Sequence, residues 1–132
     1  MKNLVKFSED CWVDSSHIIG IWIDPDGTTG VQVNMGYGQT KTIITCFSDP
    51  DIAREHVKEF LEGIVNPFID IKPIGDNRWV KVGEVASIQI EQDGRVFVHF
   101  RLGFFQHFRC SDENAAREVV NKFMETVKRK DE

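Results

Sequence analysis

The chain writes one fifteen-residue stretch twice, and that doubling limits its fold more than any other feature. Ser48, Asp49, Ala53, Arg54, Glu55, Val57, Phe60 and Glu62 recur 63 residues later as Ser111, Asp112, Ala116, Arg117, Glu118, Val120, Phe123 and Glu125. Upstream the likeness continues at a spacing of 67. Trp12-Val13 matches Trp79-Val80, Ile21 matches Ile88, Ile23 matches Ile90, and Asp26-Gly27 matches Asp93-Gly94. Val31, Gly36 and Gln39 match Val98, Gly103 and Gln106 at the same spacing. The drop from 67 to 63 leaves about four extra residues in the first copy between Gly36 and Ser48, where a loop tolerates a change of length. Self-similarity on this scale marks a chain assembled from two like units.

Each copy of the doubled stretch reads as a helix. Ala53, Val57, Phe60, Leu61 and Ile64 form one apolar stripe, and Ala116, Val120, Phe123, Met124 and Val127 form the other, with Arg, Glu and Lys between them. Those spacings belong to a 3.6-residue period. Ser48-Asp49 and Ser111-Asp112 offer oxygens to the unpaired first-turn amides, and Pro50 suits a first helical position. Lys128-Arg129-Lys130 suits the negative end of the second helix dipole. A helix this amphipathic needs an apolar surface to lie on.

Upstream of each helix the pattern is that of strands. Leu4 to Phe7 and Phe68 to Ile74 read as opening strands. Ile18 to Ile23 and Val85 to Ile90 are β-branched runs that lead into Asp-Gly, a hairpin signal. Val31 to Met35 and Val96 to Leu102 alternate with period two, and Thr42 to Phe47 and Phe105 to Cys110 follow as fourth strands. The expected fold is α+β: tandem, pseudo-symmetric ββββα repeats over residues 1–65 and 66–132, with each antiparallel sheet packed by one helix. A unit of that size buries little core by itself, so the two are expected to share one compact domain, and the matched Trp12 and Trp79 to anchor it. In element order the chain resembles the Pur-alpha repeat and the whirly-type single-strand binders. That resemblance spans nearly the whole chain, implies the architecture and transfers no residues.

Charge is unevenly shared. Residues 1–63 carry 5 Lys/Arg against 10 Asp/Glu, and residues 64–132 carry 11 against 11, which together give the net −5 of the chain. The acidic first half repels phosphate backbones and favours a basic partner. No run approaches the length that crosses a bilayer. The three cysteines, Cys11, Cys46 and Cys110, are odd in number and lack paired short spacings. Cys46 and Cys110 lie in apolar runs as small hydrophobes, and a reducing cytoplasm is the expected setting.

Enzyme chemistry finds little footing. The four histidines, His17, His56, His99 and His107, lack carboxylates or cysteines at ligand spacing, so no metal or other cofactor is expected. Ser15-Ser16-His17 comes without an elbow or an oxyanion turn. Asp24-Pro25-Asp26-Gly27 opens like a calcium loop but lacks the closing glutamate, and reads as a turn. Gly36-Tyr37-Gly38 is too short for a phosphate cradle.

Two surfaces remain as binding candidates. Trp22 has Gln89 as its counterpart and points away from Ile21 and Ile23, beside Ile18 and Ile43. With Gln32, Asn34 and Ile43 it offers a protein-docking patch on the acidic copy. In the second copy Phe97, His99 and Arg101 share one strand face, and His107 and Arg109 share another. A hairpin turning about Phe104 would oppose His99 to Arg109 and Arg101 to His107, a cationic square suited to phosphate or carboxylate. Phe97 at its margin would stack a base; the alternative is a solvated polar sheet face. The leading expectation is a non-catalytic protein-binding factor: an inhibitor, an immunity-type partner of a basic toxin, or an accessory protein of a phage or mobile element. The second is a binder of single-stranded nucleic acid or nucleotide, and a homodimer through open sheet faces competes with both.

Overall fold

The doubled letters become doubled local chemistry. The Asp49 carboxylate accepts the Ile52 amide at 2.9 Å and opens helix α1 (Pro50–Glu62); Asp112 does the same for Ala115 at 2.8 Å ahead of α2 (Glu113–Asp131). The Asp-Gly turns also match. Gly27 and Gly94 both take φ 91°, and their carbonyls accept from Phe47 and Cys110 at 3.1 and 2.9 Å. A side chain would strain that backbone, so glycine is required in both turns. The computed structural model describes residues 4–64, 69–103 and 105–131, with side chains as far as residue 127. The side chains of Lys128, Arg129 and Lys130 therefore lie outside the described residues, as do Phe68 and Phe104.

Among the described residues ten strands and two helices form an α+β fold of antiparallel sheets packed by helices. The order is β1 (Leu4–Ser8), β2 (Cys11–Asp14), β3 (Ile18–Ile23), β4 (Thr28–Gly36), β5 (Gln39–Cys46), then α1. Across the join follow β6 (Ile71–Pro73), β7 (Arg78–Lys81), β8 (Val85–Ile90), β9 (Arg95–Phe100), β10 (Phe105–Arg109), then α2. Each half thus holds five strands, not the expected four. The strands carrying Trp12 and Trp79 are four residues long, too short for alternation to declare itself.

The sheets do not follow the repeat. Among the described residues β1 and β2 pair only with each other, β10-β9-β8 form a second sheet, and β5-β4-β3-β7-β6 form a third. Strand β7, from the second half, pairs with β3 of the first through Gly20↔Val80, Ile21↔Trp79 and Trp22↔Arg78. Strands from both sides of residues 65/66 therefore share one sheet.

That five-stranded sheet separates two cores. On one face Ile21, Ile23, Val31, Val33 and Trp79 pack with Ala53, Val57 and Phe60 of α1 and with Phe7 and Val13. On the other face Ile19 and Val80 pack with Val96, Val98, Phe100, Ala116 and Phe123. Neighbouring residues of β7 thus face different cores. Burial on both faces explains why β3 is a nearly continuous apolar run. Among the described residues no helix is long and apolar enough to cross a membrane.

Sequence identity does not secure identical environments. Trp79 is 7% exposed and Trp12 is 56% exposed. Trp79 belongs to a strand inside the wide sheet, whereas among the described residues β2 pairs with β1 alone. Lys6 instead places its ammonium 5.7 Å from that ring. Gln39 is exposed, while its letter-match Gln106 is buried. The spacing changes from 67 to 63 within this hairpin, and Ile43, paired with Val31, holds the place that Gln106, paired with Val98, holds in the second half. Cys46 is exposed rather than a buried hydrophobe.

Truncating the matched tryptophans should therefore give unequal results. In urea unfolding, Trp79→Ala is expected to cost about 3–5 kcal/mol and Trp12→Ala under about 1 kcal/mol. Equal losses would contradict this layering.

Candidate functional site

The outer face of the three-stranded sheet collects most of the polar-aromatic residues singled out from the sequence. Alternation sends Val96, Val98 and Phe100 of β9 into the core and leaves Arg95, Phe97 and His99 outside. β10 likewise presents Phe105, His107 and Arg109 outward. The observed register pairs His99 with Phe105, Phe97 with His107 and Arg95 with Arg109.

This register corrects the expected one. The turn is centred on Arg101, Leu102 and Gly103, so His99 does not oppose Arg109, and Arg101 does not oppose His107. Arg101 leaves the strand, and its amide donates to the Glu84 carbonyl at 2.9 Å. Gly103, at φ 94°, reverses the chain two residues earlier than expected. The run Val96 to Leu102 is apolar at every second residue to its end, so periodicity alone could not locate the turn.

In place of a cationic square stands a ladder of rings with a cation pair at one end. Phe97 and His107 have centroids 5.7 Å apart, His99 and Phe105 5.6 Å, and Phe97 and Phe105 6.0 Å. Phe97 also stacks on His99 along its own strand at 6.5 Å and an interplanar angle of 21°. The Arg95 guanidinium sits 5.7 Å from the Phe97 ring. Asp93, in the turn before β9, accepts from Arg95 Nε at 2.8 Å and contacts Arg109 at 3.5 Å. The Arg95 backbone amide, and behind it the two guanidiniums, hold the Asp93 carboxyl below its ordinary pKa. Phe105 is 51% exposed, so the ladder opens to solvent. Arg95 and Phe105 were not singled out from the sequence; the pairing with Arg109 and His99 reveals both.

Of the residues expected to form a protein-docking patch, Ile43 does not share the surface of the other three. Ile43 pairs with Val31 and packs on the α1 core, together with Ile18. Trp22, Gln32 and Asn34 lie on the other face of the same sheet. Trp22 lies flat on Gly30: a Cβ there would come within 2.2 Å of the indole. Asn34 accepts from the Gly36 amide at 2.8 Å. Gln32 meets Gln106 of β10, whose Nε2 donates to its Oε1 at 3.4 Å.

That last contact joins the two candidate surfaces. A cleft of about 330 Å³ runs between β3 and β10, walled by Trp22, Phe105 and His107 and floored by Gln32 and Gln106, with Arg78 and Asp24 at one end. Burial pulls the Arg78 guanidinium below its ordinary pKa, with Asp24 opposing the shift, and arginine stays charged. Arg78 stacks over the Phe108 ring at 5.6 Å. Among the described residues no three His, Cys, Asp or Glu side chains converge as a metal site.

No family model matches the chain, and no curated protein matches it. Among solved structures the chain is similar to the LytTr DNA-binding domain of a protein from Bacillus cereus. The TM-score is 0.51 at 15% identity, over 89% of this chain and 94% of that one. At that identity the likeness describes the fold.

The seat of Trp22 can be probed directly. Gly30→Val should lift the indole, move its N–H resonance and cost about 1–3 kcal/mol. An unmoved resonance and unchanged melting would contradict the close approach.

Proposed function

We propose that this chain is a non-catalytic, cytoplasmic nucleic-acid-binding domain that meets its ligand with the outer face of the three-stranded sheet. The observation that carries the reading is the open ladder of Phe97, His99, Phe105 and His107, closed at one end by Arg95 and Arg109. Exposed rings give bases a sequence-tolerant stacking platform, and guanidiniums give phosphates forked donors. Arg101, in the adjoining turn, adds a third guanidinium within the same half. The structural neighbour is a DNA-binding domain, which supports a macromolecular ligand and favours nucleic acid over protein.

The overall charge of −5 opposes approach to a polyanion. The opposition comes from residues 1–63, and the proposed face belongs to the neutral half. Asp93 contacts two of the guanidiniums and would compete with phosphate for them.

The inhibitor or immunity reading has less support, because Trp22 and Ile43 lie on opposite faces of one sheet. A homodimer through these faces would cover the ladder. Tandem duplication of a strand-and-helix unit is supported by the matched caps and turns, while the unequal sheets depart from it.

Fluorescence anisotropy with labelled single strands and duplexes tests the function. Affinity should fall with salt at a log–log slope of about −2, the mark of two or three phosphate contacts. Arg95→Ala/Arg109→Ala should flatten the slope by about one to two and weaken binding roughly tenfold or more. Asp93→Asn, which keeps the turn's acceptor and drops the charge, should tighten binding by roughly 3- to 10-fold. Affinity indifferent to salt and to all three substitutions would refute the face.

A further inference from the structure

We propose that the cleft between β3 and β10 receives one unpaired nucleobase, so that the protein prefers single-stranded over duplex nucleic acid; this rests on the nucleic-acid reading above. The floor makes the first argument. Gln106 is 7% exposed, and its Oε1, closed to solvent, has no hydrogen-bond partner among the described residues. Its Nε2 is engaged by Gln32. With Gln32 as it stands, turning the amide over would set two carbonyl oxygens against each other, so the free acceptor stays on the side away from Gln32. An orphan acceptor at that depth costs about 1–3 kcal/mol; because the atom is closed to solvent, a ligand N–H would remove that cost only once the Gln106 side chain turns to present it to the cleft.

The site is built into the backbone. At Gly20 a Cβ would fall 2.6 Å from Gln106 Nε2, so the amide rests on bare main chain. In the first half the equivalent rung carries Ile43, which packs into the core. The polar residue at this rung thus belongs to the second half alone.

The walls and the end narrow the ligand. Trp22, Phe105 and His107 are flat surfaces that suit a planar ring. Arg78 is half-buried beside them; the Asp24 carboxylate acts on it electrostatically and would compete with a ligand anion, but among the described residues no carboxylate lies within ion-pairing distance of it. A ligand that fits must be planar, offer an N–H to Gln106 and carry an anion toward Arg78. A nucleotide unit has all three. In a duplex the base is stacked between its neighbours, and its pairing N–H is already taken, so only an unpaired or extruded base can enter. Because Phe105 and His107 also belong to the ladder, a strand lying on the ladder is led into the cleft.

The test uses the full chain, with a labelled single strand of about twelve nucleotides, its duplex, and an abasic strand of the same length. The single strand should bind about tenfold or more tighter than the duplex, and the abasic strand about tenfold or more weaker than the intact one. Trp22→Ala and the near-isosteric Gln106→Leu should each weaken the single strand several-fold and leave the duplex unchanged. The abasic comparison uses unaltered protein, so it decides even where a variant fails to fold. An abasic strand bound as tightly as the intact one, or a duplex bound as tightly as a single strand, overturns the cleft and leaves the sheet-face reading standing. No binding of any strand at 50 mM salt removes both.

Discussion

The pairing of β7 with β3 is the constraint on which the rest of this molecule depends. Three rungs, Gly20↔Val80, Ile21↔Trp79 and Trp22↔Arg78, carry a hairpin of the second half onto the sheet of the first. The result is a wall with a core on each face, and neither core is complete without it. Trp79 serves the α1 side and Val80 the α2 side. Two small cores sharing a buried sheet remove more apolar surface from water than two separate units of half the chain would. Polar ties reinforce the join: Arg54 of α1 donates to Asn77 at 2.8 Å, and the Lys81 ammonium donates to the Ser16 carbonyl.

The same pairing creates the geometry of the proposed cleft. Gly20 lies opposite Val80, and its missing side chain admits Gln106 from β10. Gly30, across from Trp22, lets the indole lie down on the sheet. The three-stranded sheet can therefore lean in close enough for Gln32 and Gln106 to meet. One strand, β10, then divides its side chains between an interior contact and an open ladder of rings. One sheet-built scaffold thus presents both the ladder and the cleft.

Unequal fates of equal letters are the instructive part of the chain. Helix caps and Asp-Gly turns repeat in geometry because they are set within a few residues by side-chain acceptors and by a positive φ. Of the helical stripes, Ala53, Val57, Phe60, Ala116 and Phe123 are buried, since a 3.6-residue period leaves one face for the core, whereas Met124 at the edge of the second stripe is 39% exposed. Trp12 and Trp79, and Gln39 and Gln106, diverge because their surroundings come from distant segments. The strands holding the two tryptophans escaped notice for a related reason: four residues show barely two periods of alternation.

The sequence by itself determined the elements that answer to short-range physics: two capped helices, the tight turns, and the faces of β9 and β10 with Phe97, His99, His107 and Arg109 outward. Only the tertiary structure decided the register, which brings Arg95 and Phe105 into the site and leaves Arg101 in a turn. It also decided which face of the wide sheet each residue occupies, separating Trp22 from Ile43 and joining Trp22 to Gln106. Register and sheet order depend on which distant strands find each other, and a period of two is satisfied equally well by more than one pairing.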